Sequence, residues 1–231
     1  WSAKSAEKIG NKKKARKIFM DVANLYPYTF HGIRAREKMV EEGASFPESS
    51  VESPNVLPSK SLGRALTRLE KFHHIRALEL SALGLNFEAR NEIKQLEKSV
   101  RKNLTGVLWL SNLYHKAGGY SESLKLLQLY KNFTTKSGER DLSPQFWKFF
   151  FPLAYNDAVA KNSEYRKVDP HFINGIIRQE SLFDSRALSP AGARGLMQIM
   201  PATGKKLYPK TKLKKPFEAD ILFEPELNIK M

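Results

Sequence analysis

The chain contains no cysteine, so disulfides and thiol chemistry are excluded, while every cellular compartment stays open. It has no apolar run long enough to span a bilayer. Its most apolar stretch, Trp147-Lys148-Phe149-Phe150-Phe151-Pro152, is short, carries a charge and stops at a proline, which suits docking between domains better than membrane contact. No secretory leader is recognisable, and Trp1 as first residue implies that the natural N-terminus has been removed. Period-two alternation is scarce, so the class is all-α. The five histidines form no metal pattern: adjacent His73 and His74 face different sides of a helix, and His31, His115 and His171 stand alone. Zinc-finger spacing, RNP-type aromatic motifs and a phosphate-binding Gly-Lys-Ser loop are absent too. No metal and no other cofactor is expected.

What the sequence has in excess is positive charge. Its 231 residues, 41% of them hydrophobic, suffice for one or two domains with a sizeable core. The formal charge of +15 and a pI near 9.8 imply an anionic partner. Nucleic acid is the first such partner to weigh, and the run Lys12-Lys13-Lys14-Ala15-Arg16-Lys17 invites it. That run, however, lies on an amphipathic helix whose Ala15, Ile18, Phe19 and Val22 point to a core, which makes the lysines a solvated face. Nucleic acid is therefore not expected.

The N-terminal part is repetitive. Gly10 is followed by Ala15 and Phe19, Gly84 by Ala89 and Ile93, and Gly118 by Ser123 and Leu127, always at plus five and plus nine. A glycine, then a small residue, then an apolar one describes a helix C-cap, a close crossing and a core contact in a helical hairpin. Gly84 and Gly118 lie 34 residues apart, the tetratricopeptide period; Gly10 lies 74 residues before Gly84, about two periods plus an insertion placed at Gly43 to Ser61. Residues 1–140 read as an α-solenoid of stacked hairpins, followed by a linker segment over 141–164.

The most informative stretch runs from Asp169 to Pro201. Asp169 is a good N-cap and Pro170 suits the first helical position, so a helix is predicted to start there. At about 100° per residue, Phe172, Ile173, Ile176, Ile177 and Phe183 share a face, and Glu180 falls in the middle of it. Desolvation disfavours the charged form of a carboxyl, so a glutamate there is expected to stay protonated near neutrality, as a general acid must. The competing reading has Glu180 bend out to water or pair with Arg178 or Arg186. The small-residue loop Ser189-Pro190-Ala191-Gly192-Ala193-Arg194-Gly195 follows, whose glycines let backbone approach a ligand closely, and it leads into a turn carrying Gln198.

Glu180-Ser181, then Gly195-Leu196-Met197-Gln198 and Met200-Pro201, resemble in order and spacing the motifs of the lytic transglycosylases of bacterial cell walls, in particular the large soluble type with an SLT domain. Phe151-Pro152-Leu153-Ala154-Tyr155 and Glu224-Pro225-Glu226-Leu227-Asn228-Ile229 are similar to that family's sequence on either side. The resemblance implies a superhelical arm followed by a goose-type, lysozyme-like catalytic domain, here its first part, from Tyr165 to Met231. It implies cleavage of the β-1,4 bond between N-acetylmuramic acid and N-acetylglucosamine in peptidoglycan, closing a 1,6-anhydromuramic end, with Glu180 as sole general acid and base. Ser189, Gln198 and Met200 match positions lining the saccharide groove; Ser181 and Gly195 match supporting ones. Glycan strands, with their lactyl and peptide carboxylates, would then be the anionic partner, and the periplasm or cell envelope the location of a monomeric protein without a transmembrane segment.

A glycosidase of the usual kind needs a second carboxyl. Asp184 is nearest, one helical turn beyond Glu180, and is read as capping the turn into the loop; Glu218, Asp220, Glu224 and Glu226 are read as surface. The family's later Ala-Tyr-Asn-Ala-Gly segment does not occur before Met231, so residues 1–231 alone are expected to have little or no lytic activity. Two alternatives remain open: a lysozyme-type hydrolase, and a helical-repeat interaction scaffold with a degenerate catalytic module.

Overall fold

A computed structural model describes residues 1–46, 62, 65–134 and 142–231. Most of the insertion expected at Gly43 to Ser61 lies outside the described residues, as does the 135–141 segment where the solenoid was expected to end. The described residues form twelve α-helices: α1 Ser2–Lys8, α2 Lys12–Leu25, α3 Phe30–Glu41, α4 Arg68–Ala82, α5 Asn86–Val100, α6 Leu104–Lys116, α7 Tyr120–Thr134, α8 Pro144–Phe150, α9 Asn156–Arg166, α10 Pro170–Ser181, α11 Pro201–Leu207 and α12 Pro225–Lys230. Extended pairing among them is limited to two isolated bridges, Leu188 to Arg194 and Arg194 to Ile199, so the chain is all-α as expected. The segment 141–164, read as a linker, contains α8 and most of α9.

The hairpin turns are dictated locally. Gly10, Gly84 and Gly118 have φ of +78°, +76° and +63°, and each closes a helix with the same pair of bonds. Gly84 N–H donates to Ser81 O at 3.1 Å while Leu85 N–H reaches back to Leu80 O at 2.9 Å, and Gly118 and Gly119 repeat this with His115 and Tyr114. This is the Schellman arrangement, in which a left-handed residue satisfies the orphan carbonyls of the last turn. The following helices begin on their own signals where polar caps are at hand: Asn11 caps α2, Thr29 caps α3, Thr67 and Glu70 form a capping box for α4, and Asn103 caps α6.

Backbone packing divides the chain into two compact units, Trp1–Asn55 with Gln128–Lys148, and Val56–Leu127 with Phe149–Met231. In the first, α1 to α3 pack around Ala3, Ala6, Ala15, Phe19, Ala23, Ala35 and Met39, small residues that let helices cross closely. The basic residues of Lys12 to Lys17 are exposed around buried Ala15, which bears out the solvated-face reading.

In the second unit, α4 to α7 pack on Ala77, Ala89, Ile93, Leu96, Trp109, Leu110, Ser123 and Leu127, all at most 2% exposed. Ala89 and Ser123 thus sit where the repeat put its small residues. Polar links tie the hairpins together: Glu92 takes His73 Nδ1 at 2.6 Å and Arg76 Nε at 3.2 Å, the Tyr114 hydroxyl donates to Glu97 at 2.5 Å, and Arg90 pairs with Glu122 at 3.1 Å.

His115 faces the aromatic rings that join this part to the C-terminal helices. Its ring meets Tyr120 at 4.9 Å and Phe149 at 4.8 Å, and its Nε2 is buried with no hydrogen-bond partner among the described residues. Burial pulls its pKa down from 6.5 to about 4. The folded chain therefore favours the neutral ring, and the unfolded chain takes up the proton first as pH falls. Stability should be lost from pH about 6.5 down to about 4, by about 3 kcal/mol in all. Chemical denaturation across that range checks this; His115→Phe should flatten the slope, and an unchanged slope in the variant would assign it to other groups.

Tyr120 also lies 5.9 Å from the Tyr155 ring and 6.4 Å from the Phe183 ring, centroid to centroid. Helix α9 packs on both α10 and α12. Phe149 and Phe150 are buried while Phe151 is 45% exposed, and among the described residues no helix is long and apolar enough to cross a membrane.

Candidate active site

Helix α10 starts as the sequence indicates: the Asp169 carboxylate accepts from His171 N–H at 2.7 Å, and Pro170 occupies the first turn. Ile173 and Ile177 are buried and Ile176 is half-buried, but Phe172 is 63% exposed. Glu180 is exposed as well. Of the two readings of Glu180, the structure has the second, a carboxylate open to water: the buried stripe of α10 runs through Ile173 and Ile177, and Glu180 stands at its border rather than in a desolvated centre. The ion-pair form of that reading does not hold, since among the described residues no cation lies within pairing distance of Glu180. Arg178 turns the other way, donating to Phe150 O with its guanidinium 4.4 Å and 4.9 Å from the Phe150 and Phe151 ring centroids.

The end of α10 is held firmly. The Ser181 hydroxyl donates to Ile177 O at 3.1 Å, the local backbone bond expected of a supporting residue. Leu182 and Phe183 have φ of +53° and +62°, so the chain reverses sharply, with Phe183 buried and its carbonyl accepting from the Tyr155 hydroxyl at 3.4 Å. Asp184 accepts from Arg186 N–H at 2.9 Å and takes Ala187 N–H on its carbonyl. This is the turn-forming role read from its position.

From Ala187 onward a hydrogen-bonded loop gathers Ser189, Gly195 and Gln198. Ser189 and Ala193 are joined by two bonds, Ser189 N–H to Ala193 O at 2.9 Å and Ala193 N–H to Ser189 Oγ at 3.0 Å. Gly195 N–H donates to Ala187 O at 2.9 Å, and Arg194 and Ile199 exchange both backbone bonds. Gln198, itself at φ +48°, spends both Nε2 protons on this loop, donating to Gly195 O at 2.9 Å and Ala187 O at 3.2 Å. Its Oε1 accepts nothing among the described residues, and the Ser189 hydroxyl proton is likewise uncommitted. The loop thus offers one acceptor and one donor from the two residues singled out for hydrogen bonding. Met200 precedes α11 and is 41% exposed, so core packing does not consume it.

Gly195 is glycine for a reason other than approach to a ligand. At φ +75°, a Cβ there would lie 2.1 Å from Leu222 O and 2.5 Å from Asn228 Nδ2. The close neighbour is the protein's own backbone. Gly192 needs its φ of +89°, but a Cβ would meet open space.

Asn228, which the sequence motifs do not single out, anchors the loop. Fully buried, it accepts Met197 N–H on Oδ1 at 2.7 Å and donates from Nδ2 to Arg194 O at 3.0 Å and Leu222 O at 2.6 Å. An asparagine set between the apolar Leu227 and Ile229 is the signal the sequence carries. Glu218, Asp220, Glu224 and Glu226 are exposed, as read, with Asp220 paired to Arg194.

A family model described as Transglycosylase SLT domain matches residues 157–231, from within α9 to the last residue. Over these residues the chain is similar to that family's domain. The soluble lytic murein transglycosylase of Salmonella typhimurium is 39% identical over 82 residues, which are 34% of this chain and 12% of that protein. The crystal structure of the 70 kDa soluble lytic transglycosylase from Escherichia coli superposes over 100% of this chain and 33% of its own, with a TM-score of 0.72 at 23% identity. A second, of an inactive glutamate-to-glutamine mutant of lytic transglycosylase Slt from Pseudomonas aeruginosa, covers 100% of this chain and 34% of its own, with a TM-score of 0.67 at 22% identity. These superpositions agree on the all-α fold, and the chain spans about a third of the solved proteins' length.

Proposed function

We propose that this chain belongs to a peptidoglycan lytic transglycosylase of the periplasm or cell envelope and that Glu180 is its general acid and base. The observation that carries the reading is a single uncommitted carboxylate at the end of α10. Glu180 is exposed and unpaired among the described residues, whereas Asp184, the nearest acid, is spent on Arg186 N–H. The SLT match over the same residues and the murein transglycosylase names of the relatives support it. The domain division proposed with it has helical hairpins up to about residue 140 and catalytic sequence from Tyr165 on.

One carboxyl suffices for the following chemistry. Glu180, protonated, gives its proton to the oxygen between C1 of N-acetylmuramic acid and C4 of N-acetylglucosamine as the C1–O bond breaks. The C6 hydroxyl of the same muramic residue then attacks C1, forming the 1,6-anhydro bond, and its proton passes to the Glu180 carboxylate. Acid and base are regenerated in one cycle and no water is consumed. Ser189 Oγ–H and Gln198 Oε1 would bind saccharide polar groups, and Met200 would pack on a sugar face. A saccharide laid over Glu180 would also supply the dry surroundings a general acid needs.

Mass spectrometry of the products released from purified sacculi by the full-length gene product tests this. Anhydromuramic ends are expected, each lighter by one water than a hydrolytic product. Reducing ends would keep Glu180 as acid but replace ring closure with attack by water.

A further inference from the structure

From Ser185 to Phe217 the chain has eight cations and no acid; Glu218 is the first carboxylate after Asp184. Arg194 is committed to Asp220, but Lys205, Lys206, Lys210, Lys212, Lys214 and Lys215 are all exposed and make no ion pair among the described residues. They are displayed on an ordered support. Gly204, Tyr208 and Thr211 turn inward at helical spacing along α11 and the following 3-10 turn, Tyr208 and Thr211 at 6% and 5% exposure. A Cβ on Gly204 would meet the Leu222 side chain at 2.9 Å, and the Tyr208 ring lies 5.4 Å from that of Phe217. The Lys230 ammonium ties down Thr211 O at 3.1 Å. With that side buried, the lysines stand on the other. Lys212, at φ +62°, then turns the chain, and Lys212-Leu213-Lys214-Lys215 is exposed throughout, with Leu213 half exposed and flanked in sequence by three lysines.

We propose that this lysine-rich face, centred on Leu213, docks on an anionic lipid bilayer. A run of exposed, unpaired lysines uninterrupted by any acid matches the negative surface potential of such a bilayer. Leu213 favours a bilayer over a soluble polyanion: an apolar side chain gains nothing from a hydrated polysaccharide or nucleic acid, but between headgroups it enters the acyl boundary while the flanking lysines stay with the phosphates. Peripheral attachment of this kind needs no membrane-crossing helix, and the surface shares no residue with the Glu180 site.

Co-sedimentation of the chain with vesicles of phosphatidylcholine and phosphatidylglycerol, against phosphatidylcholine alone, tests the proposal. Binding should require the anionic lipid and fall as salt screens it. Each lysine near an anionic surface is worth about a fivefold change in partition, so combined Lys212→Glu, Lys214→Glu and Lys215→Glu should weaken binding by at least about 10²-fold. Leu213→Ser should weaken it by about fivefold to tenfold at constant charge. Circular dichroism of each variant, with wild-type helix content expected for these exposed positions, separates loss of binding from loss of fold. Absence of binding to the anionic vesicles overturns the proposal, as does binding that ignores the lysine reversals. A Leu213→Ser variant that binds vesicles as wild type does, with heparin displacing both equally, would make the face a general polyanion site and overturn it too.

Discussion

Glu180→Gln in the full-length gene product is expected to lower the rate of sacculus lysis by at least about 10²-fold, the usual contribution of a positioned acid–base group. The amide has nearly the same shape but can neither give nor take the proton. Because the Glu180 side chain is exposed and takes part in no ion pair among the described residues, the substitution leaves α10 and its turn without a lost contact. Thermal stability and glycan binding should therefore stay at wild-type levels while turnover collapses. Turnover near that of the wild type would remove Glu180 from the catalytic role. An equal fall in binding and turnover would make it a binding residue instead.

The second large effect is structural. Asn228→Ala removes three hydrogen bonds at a fully buried position, taking the side-chain partner from Met197 N–H and Leu222 O and leaving Arg194 O with Ile199 N–H alone. An unsatisfied buried polar group costs about 1–3 kcal/mol, so the variant should lose about 3 kcal/mol or more of stability. Asn228→Asp is the sharper variant, since it keeps the acceptor for Met197 N–H but sets carboxylate oxygens against two carbonyls. Both should unfold at lower temperature than the wild type, and both should loosen the loop that carries Gln198. A shift equivalent to under about 1 kcal/mol in either would mean that water or a rearranged backbone replaces the side chain. Gly195→Ala probes the same joint from the other side, through a Cβ that has no room against Leu222 O.

The helical hairpins were legible because their signals are local. A glycine at C′ with two backbone bonds behind it needs only the six residues around it, so Gly10, Gly84 and Gly118 could be placed from spacing alone. The buried small residues at plus five followed from the same register. The start of α10 at Asp169 and Pro170, the turn made by Asp184 and the backbone bond of Ser181 are likewise written within a few residues of chain.

Burial is not local, and the sequence pattern left Glu180 open between a desolvated place and a solvated one. An apolar stripe says which side of α10 can be covered, but the neighbours that pack there decide how far the cover reaches; it takes in Ile173 and Ile177 and leaves Phe172 and Glu180 in water. Gly195 could be read as a residue that admits something close, yet only the fold shows that Leu222 and Asn228, about thirty residues on, are what come close. Gln198 was placed at the site by its motif, while the path of the loop commits its amide protons to Ala187 and Gly195 and leaves its oxygen. The sequence by itself determined the helical class, the hairpin register and the order of the motif residues, because backbone caps and side-chain periodicity act over a few bonds. Tertiary structure alone decided which of those residues face water, which atoms remain uncommitted, and that a single buried asparagine holds the loop, because those depend on segments that meet only after the chain has folded.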